Sequence, residues 1–175
     1  MGLRPPLPGE YDERFAPYLA VPCEGDVLAL LQTQVAEAAD LFTTLSDAQA
    51  LHRYAPGKWS LKDLLQHITD TERIFAYRCL RIGRGDSTPL AGFDENAFAA
   101  LALADECPMP VLLTDFRAAR NASLTLFGSL PDAAWSRQGS ANGRAVTTRC
   151  IPYLCLGHAA HHLAIVRERY LPGLK

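Results

Sequence analysis

The chain has neither a strong excess of charge nor a long apolar run, and both absences exclude functions. Its 175 residues carry a formal net charge of -2 at pH 7, so the composition offers no basic surface for nucleic acid or an anionic membrane. No apolar stretch approaches the ~18 residues of a membrane span, and the first residues lack the apolar core of a signal peptide. We therefore expect a cytoplasmic protein that binds neither nucleic acid nor a membrane.

The sequence has no cysteine pattern typical of metal binding. The five cysteines are odd in number and none of them stands in a CxxC pair, which disfavours a disulfide framework and a zinc ribbon. Hydrophobic residues make up 49% and charged residues 21% of the chain, which indicates a globular protein rather than a disordered one. The length suits a single domain over residues 1–175.

Helical periodicity dominates the sequence, and strand-like alternation of useful length is missing. Apolar residues recur at spacings of three and four in four long segments. These segments lie at about 26–45, 60–82, 110–128 and 147–170. A short extra helix is expected at about 94–103, and the proline-rich residues 1–24 are expected to form an extended arm without regular elements. The sequence therefore predicts an all-α fold, with the helical bundle at 25–172.

Helix starts are marked by capping residues. Ser60 and Asp63 have the spacing of a capping box, and Asp94 is an N-cap candidate for the short helix. Thr147 or Thr148 is expected to cap the last helix.

The arrangement of the histidines indicates a metal site. His158 and His162 stand one helical turn apart, on a face that also carries Leu154 and Ile165. His67 lies on or beside the buried stripe of the second long helix. Because a bundle core can bring such residues together, we predict that these three histidines bind one divalent metal and leave a coordination position open. The alternative is that they are core histidines satisfied by ordinary hydrogen bonds.

The remaining polar residues near the triad leave several roles open. Ala159 stands where an H-E-x-x-H metalloprotease has its glutamate, so that class is disfavoured. The candidates for a general base are Asp63, Asp70 and Glu72, although Asp63 is interpreted first as a helix cap. Cys155 is a possible fourth ligand, which would make the site a closed, structural one.

Two histidines are placed outside the predicted site. His161 is rotated by about 100° from its neighbour on the helix and is assigned a packing or second-shell role. His52 is expected to be exposed to solvent.

Four stretches of the chain resemble the DinB-like, also called YfiT-like, superfamily. They are residues 54–60 (YAPGKWS), 67–73 (HITDTER), 88–93 (TPLAGF) and 157–165 (GHAAHHLAI). The resemblance implies a four-helix bundle with a long crossover, often a homodimer. It also implies a metal such as zinc or nickel bound by three histidines, which match His67, His158 and His162.

The resemblance also implies a type of chemistry. Better-understood members look like metal-dependent transferases or isomerases that use a low-molecular-weight thiol such as bacillithiol, mycothiol or glutathione, whose sulfur the metal would hold as a thiolate. We expect a thiol-dependent transferase that acts on a small electrophilic molecule. The alternatives are a metal-dependent hydrolase and a non-catalytic, stress-related protein with a structural metal.

Overall fold

Four long helices form the body of the fold in the computed structural model, which describes residues 3–20 and 23–174. In chain order, the α-helices of these residues are α1 (Ala16–Leu19), α2 (Val27–Phe42), α3 (Asp47–Ala50), α4 (Leu61–Gly83), α5 (Glu95–Ala102), α6 (Met109–Gly128) and α7 (Cys150–Ile165). The last helix continues as a π-helical turn and then a 3-10 turn, at Val166–Tyr170 and Leu171–Gly173. Within the described residues, no helix combines the length and the apolar character needed to cross a bilayer.

The long helices α2, α4, α6 and α7 form a four-helix bundle with a crossed topology. Helix α4 packs against α6 and α7, and α2 packs against the same two helices. Consecutive helices α2 and α4 are therefore diagonal partners, and the chain crosses one end of the bundle between them. A long connection over residues 84–108 carries α5. The predicted bundle, with its crossover and short extra helix, is confirmed.

A small hairpin lies between α6 and α7, where no strand was expected. Strands β1 (Gln138–Ala141) and β2 (Arg144–Thr147) pair antiparallel. They are joined by Asn142 and Gly143, both at positive φ (54° and 68°), which is the conformation that an Asn-Gly turn favours. The expectation of a loop here was wrong because the strands are only four residues long and β1 contains small residues with little alternation.

The N-terminal arm also contains regular structure, contrary to expectation. Asp12 caps a 3-10 turn at Glu13–Phe15 by accepting a hydrogen bond from the backbone N–H of Arg14, and α1 follows directly. Phe15 is buried, and α1 packs against α7. The prediction failed because Pro17 is tolerated in the first turn of a helix, so a proline-rich composition does not exclude one.

Two of the three predicted helix caps are confirmed. Ser60 and Asp94 accept hydrogen bonds from backbone N–H groups of the first turns of α4 and α5. The expected threonine cap of α7 was wrong: Thr147 ends β2, Thr148 donates its hydroxyl to a backbone carbonyl, and Arg149 precedes the helix without a side-chain cap. The hairpin sets the start of α7 in place of a cap.

A buried polar layer divides the core of the bundle into two apolar clusters. Arg120 is fully buried and donates to both carboxylate oxygens of Glu72, at 2.9 and 3.1 Å. It also donates to the backbone oxygen of Leu31 and to Oε1 of Gln34, at 2.8 and 3.1 Å. The amide of Gln34 in turn donates to the backbone oxygen of Leu156 at 3.0 Å. These contacts, which we call the polar layer, connect all four long helices.

Candidate metal centre

The three histidines singled out in the sequence converge where α4 packs against α7. The Nε2 atom of His158 lies 3.0 Å from Nε2 of His67 and 3.1 Å from Nε2 of His162. One ring nitrogen from each residue falls within 4.8 Å of the others. The bundle thus brings all three predicted residues together, and their role as metal ligands remains a prediction.

The chemistry of this cluster, which we call the triad, fits a divalent cation. An imidazole nitrogen carries either one proton or one lone pair, so Nε2 of His158 cannot satisfy two neighbouring nitrogens at 3.0–3.1 Å. Nitrogens bound tetrahedrally to zinc at ~2.0–2.1 Å stand about 3.3 Å apart. A cation between the three rings would therefore use all three lone pairs with little movement.

Burial keeps the triad in the form that binds metals. It lowers the pKa of His67 to about 4 and the pKa of His162 to about 3, the latter with a further contribution from neighbouring histidines. Burial also lowers the pKa of His158 well below its ordinary value, again aided by the other histidines. At neutral pH the three rings are therefore uncharged, so protons compete little with a metal ion.

Aromatic side chains surround the triad. The rings of Trp59 and His67 have centroids 4.7 Å apart, and Tyr18 and Phe75 lie at 5.5 and 6.0 Å from His158. Among the described residues, Nδ1 of His162 is buried without a hydrogen-bond partner. This ring therefore lacks the carboxylate that orients many metal-binding histidines, and packing provides much of the orientation.

None of the three carboxylates suggested as a general base lines the cavity beside the triad. Asp63 caps α4, as first interpreted, Asp70 accepts a hydrogen bond from Gln66 at 2.9 Å, and Glu72 belongs to the polar layer. The carboxylate that does line the cavity is Glu95. Its only signal in the sequence is its place in the first turn of α5, where acidic residues are common for helix-dipole reasons.

The predictions for the two other histidines, His161 and His52, differ in how well they agree with the structure. His161 is exposed and its ring lies 5.7 Å from Tyr18, which agrees with the predicted packing role. His52 was expected to be exposed, but it is half-buried and packs edge-on against Tyr170, with centroids 6.2 Å apart. The expectation was wrong because the chain after α7 returns to this loop and places Gly173 beside the His52 ring.

Cys155 does not join the triad, although it stands one turn before His158. Among the described residues, the group able to hold a metal consists of the three histidines alone. Cys155 is fully buried, and burial raises the pKa of its thiol well above the ordinary value, with Glu72 contributing. A neutral thiol beside the polar layer does not provide a metal ligand.

A cavity of about 220 Å³ opens beside His162. Its walls combine three aromatic and two aliphatic side chains with a polar rim. They are Tyr54, Trp59, Leu64, Ile165 and Tyr170, with Gly57, Lys58, Glu95 and Asn96 at the rim. A second cavity of about 560 Å³ shares part of this rim and extends toward Asp105. The cavity gives a small molecule a route to the triad.

Comparison with known proteins identifies the family of this chain. Residues 29–166 match the model of the DinB superfamily. The fold is similar to that of YfiT from Bacillus subtilis, described as a probable metal-dependent hydrolase with an unusual four-helix bundle topology. The TM-score is 0.75 at 18% identity, covering 84% of this chain and 89% of YfiT.

A second solved structure, mycothiol-dependent maleylpyruvate isomerase, is similar at a TM-score of 0.66 and 15% identity. The match covers 79% of this chain and 58% of the isomerase, so the chain spans little more than half of that protein. No curated protein sequence matched. At these identities the structural likeness shows the fold alone, whereas the family match covers most of the chain. The chain belongs to the DinB superfamily.

Proposed function

We propose that His67, His158 and His162 hold one divalent metal ion, with zinc and nickel as the leading candidates, in the active site of an enzyme. The observation that carries this proposal is the convergence of three uncharged ring nitrogens within 4.8 Å beside an open cavity. Three nitrogen ligands with access for a further ligand are typical of catalytic rather than structural zinc sites.

The activity we favour is transfer of a low-molecular-weight thiol, such as bacillithiol, to a small electrophilic molecule. A bound divalent ion would lower the pKa of a thiol and so supply a nucleophile at neutral pH. In the cavity, Tyr54, Trp59 and Tyr170 provide apolar surface that binds the substrate and excludes water. The fold shared with a mycothiol-dependent isomerase supports this choice.

Metal-dependent hydrolysis is the second candidate. YfiT, which shares the fold, is described as a probable metal-dependent hydrolase. The cavity contains the carboxylate of Glu95, a group able to accept a proton from water. A purely structural metal has less support, because the fourth ligand expected of it, Cys155, lies outside the triad.

Metal content tests the proposal directly. Elemental analysis of the purified protein should find about one metal per chain in the wild type and far less in His67→Ala and His162→Ala. His161→Ala is the matched control, since it removes an exposed histidine on the same helix and should retain the metal. Wild-type preparations with well below one metal per chain would return the triad to the packing interpretation.

The reaction is tested with thiol present and absent. Metal-loaded protein is incubated with bacillithiol or glutathione and a chlorinated aromatic compound or an epoxide. A conjugate that forms only with metal supports the transferase. Turnover of ester or amide substrates without added thiol supports the hydrolase instead.

We also propose a cytoplasmic homodimer. Exposed apolar side chains on and after α5, Phe98, Leu101 and Leu103, are 46%, 82% and 58% exposed and form a surface that a second copy could cover. Light scattering coupled to gel filtration measures the mass, and a monomer at micromolar concentration would contradict the dimer.

A further inference from the structure

The short N-terminal helix α1 lies directly on the turn of α7 that carries His158. A Cβ atom at Gly157 would collide with the backbone carbonyl of Tyr18, so a glycine is required for α1 to approach this closely. Because Gly157 immediately precedes His158, this backbone contact fixes the position of Tyr18 relative to one member of the triad.

The side chain of Tyr18 uses this position to contact two histidines. Its ring lies edge-on to His158, with centroids 5.5 Å apart and planes at 64°, and edge-on to His161, at 5.7 Å and 80°. Phe75 contacts the His158 ring as well, at 6.0 Å. Two aromatic rings, one from α1 and one from α4, therefore restrict rotation of the His158 imidazole.

The ring of Tyr18, and not its hydroxyl, makes these contacts. Both contacts are between ring edges and ring faces. Removing only the hydroxyl should leave the contacts with His158 intact, whereas removing the ring should free the imidazole.

We infer that Tyr18 is a positioning residue of the metal site, which holds the His158 ring in its metal-facing orientation and closes the site on the α1 side. The inference rests on the proposed metal binding. Groups that orient a metal-binding histidine commonly change metal affinity by about 10–100-fold when removed. Here packing by an aromatic ring performs that task, in a segment that lies outside the four long helices.

The test measures cobalt and zinc binding by the full chain, without any assay of activity. Tyr18→Ala should weaken affinity by at least about 10-fold and change the visible absorption of the Co²⁺ protein, because the His158 ring is free to turn. Tyr18→Phe should restore both to wild-type values. Tyr11→Ala is the matched control, since it removes a half-buried aromatic of the same arm whose backbone pairs with Val146 of the hairpin.

Two further variants make the outcome decisive. Gly157→Ala displaces α1 without touching the Tyr18 side chain and should also weaken affinity. Tyr18→Leu removes the aromatic ring but keeps an apolar side chain between α1 and α7. It replaces the alanine variant if that one does not fold. Wild-type affinity and absorption in a folded Tyr18→Ala or Tyr18→Leu protein would overturn the inference, whereas a wild-type chain that binds no metal would overturn the proposed function.

Discussion

The bundle contains two clusters of buried polar groups, and they are built in opposite ways. In the polar layer, Nε, Nη1 and Nη2 of Arg120 all donate hydrogen bonds, so the charge is balanced and the donors are satisfied. In the triad, three neutral nitrogens face one another, and Nε2 of His158 stands between two others. A satisfied network stabilises a fold without a ligand, whereas convergent lone pairs favour the binding of a cation.

Substitutions in the two clusters should therefore have different effects on folding and on metal binding. Removal of Arg120 alone from the polar layer leaves the buried charge of Glu72 without its partner, so it should affect folding and leave metal binding unchanged. A change in the triad removes a neutral ring, so it should affect metal binding and leave the folding of the metal-free chain nearly unchanged.

The largest expected effect is the loss of metal from His158→Ala. Nε2 of His158 is the nitrogen that lies 3.0–3.1 Å from both of the others, so its removal leaves only two of the three ligands. Zinc should raise the melting temperature of the wild type, because a ligand that binds only the folded state stabilises it, and should have no such effect on the variant. An equal zinc-induced rise in both proteins, measured by differential scanning fluorimetry, would contradict the triad.

Arg120→Met should cost the metal-free protein about 3–5 kcal/mol in the free energy of unfolding, because it leaves the Glu72 carboxylate buried and unpaired. Urea denaturation in the presence of a chelator measures the loss. The double variant Arg120→Met with Glu72→Met should recover much of it, since no charge remains. Zinc binding by the double variant should match the wild type, and a loss of metal there would show that the two clusters are coupled.

The stability of the metal-free protein should fall as the pH decreases from about 6.5 toward 4. The unfolded chain binds a proton at each triad histidine near pH 6.5, whereas burial lowers the folded-state pKa of His67 to about 4 and of His162 to about 3. The unfolded state thus binds more protons in this window, and each group contributes a slope of about 1.4 kcal/mol per pH unit.

A variant in each cluster identifies the source of that slope. In urea denaturation between pH 7 and 4.5, His67→Leu should have a shallower pH dependence than the wild type. Gln34→Leu, which changes only the polar layer, should keep the wild-type slope. Identical slopes in all three proteins would mean that the triad does not cause the pH dependence.

Gln34→Leu should itself have a smaller effect, of about 1–2 kcal/mol on the free energy of unfolding at pH 7. It removes one acceptor from Arg120 and the donor to the backbone oxygen of Leu156, but the ion pair with Glu72 remains. Thermal and urea unfolding measure the change. A loss as large as that of Arg120→Met would show that Gln34, and not the ion pair, supports the layer.

Sequence patterns could predict the triad because two of its members share one helix face and the third lies on an apolar stripe. His158 and His162 are one helical turn apart, and the apolar stripe of α4 indicates which way His67 faces. The polar layer could not be predicted in the same way. Arg120 and Glu72 pair in the buried core, whereas a charged residue in the middle of a helix usually indicates a solvent-exposed face.

The parts of the site that were missed depend on tertiary packing. Tyr18 reaches His158 only because α1 packs on Gly157, and Glu95 reaches the cavity only through the path of the long connection. Neither contact has a local sequence pattern. The hairpin is different, because the Asn142-Gly143 pair is a known turn signal and could have indicated it.

Cys155 gives the smallest and most discriminating test, because it is one turn from His158 in sequence but lies beside Glu72 of the polar layer in space. Cys155→Ala should cost about 1 kcal/mol, from the small volume lost in a fully buried site. Metal content should be unchanged, because the group able to hold a metal does not include this thiol. Loss of metal from this variant would make Cys155 a fourth ligand. The site would then be a closed, structural one, and Cys155 would connect the two clusters.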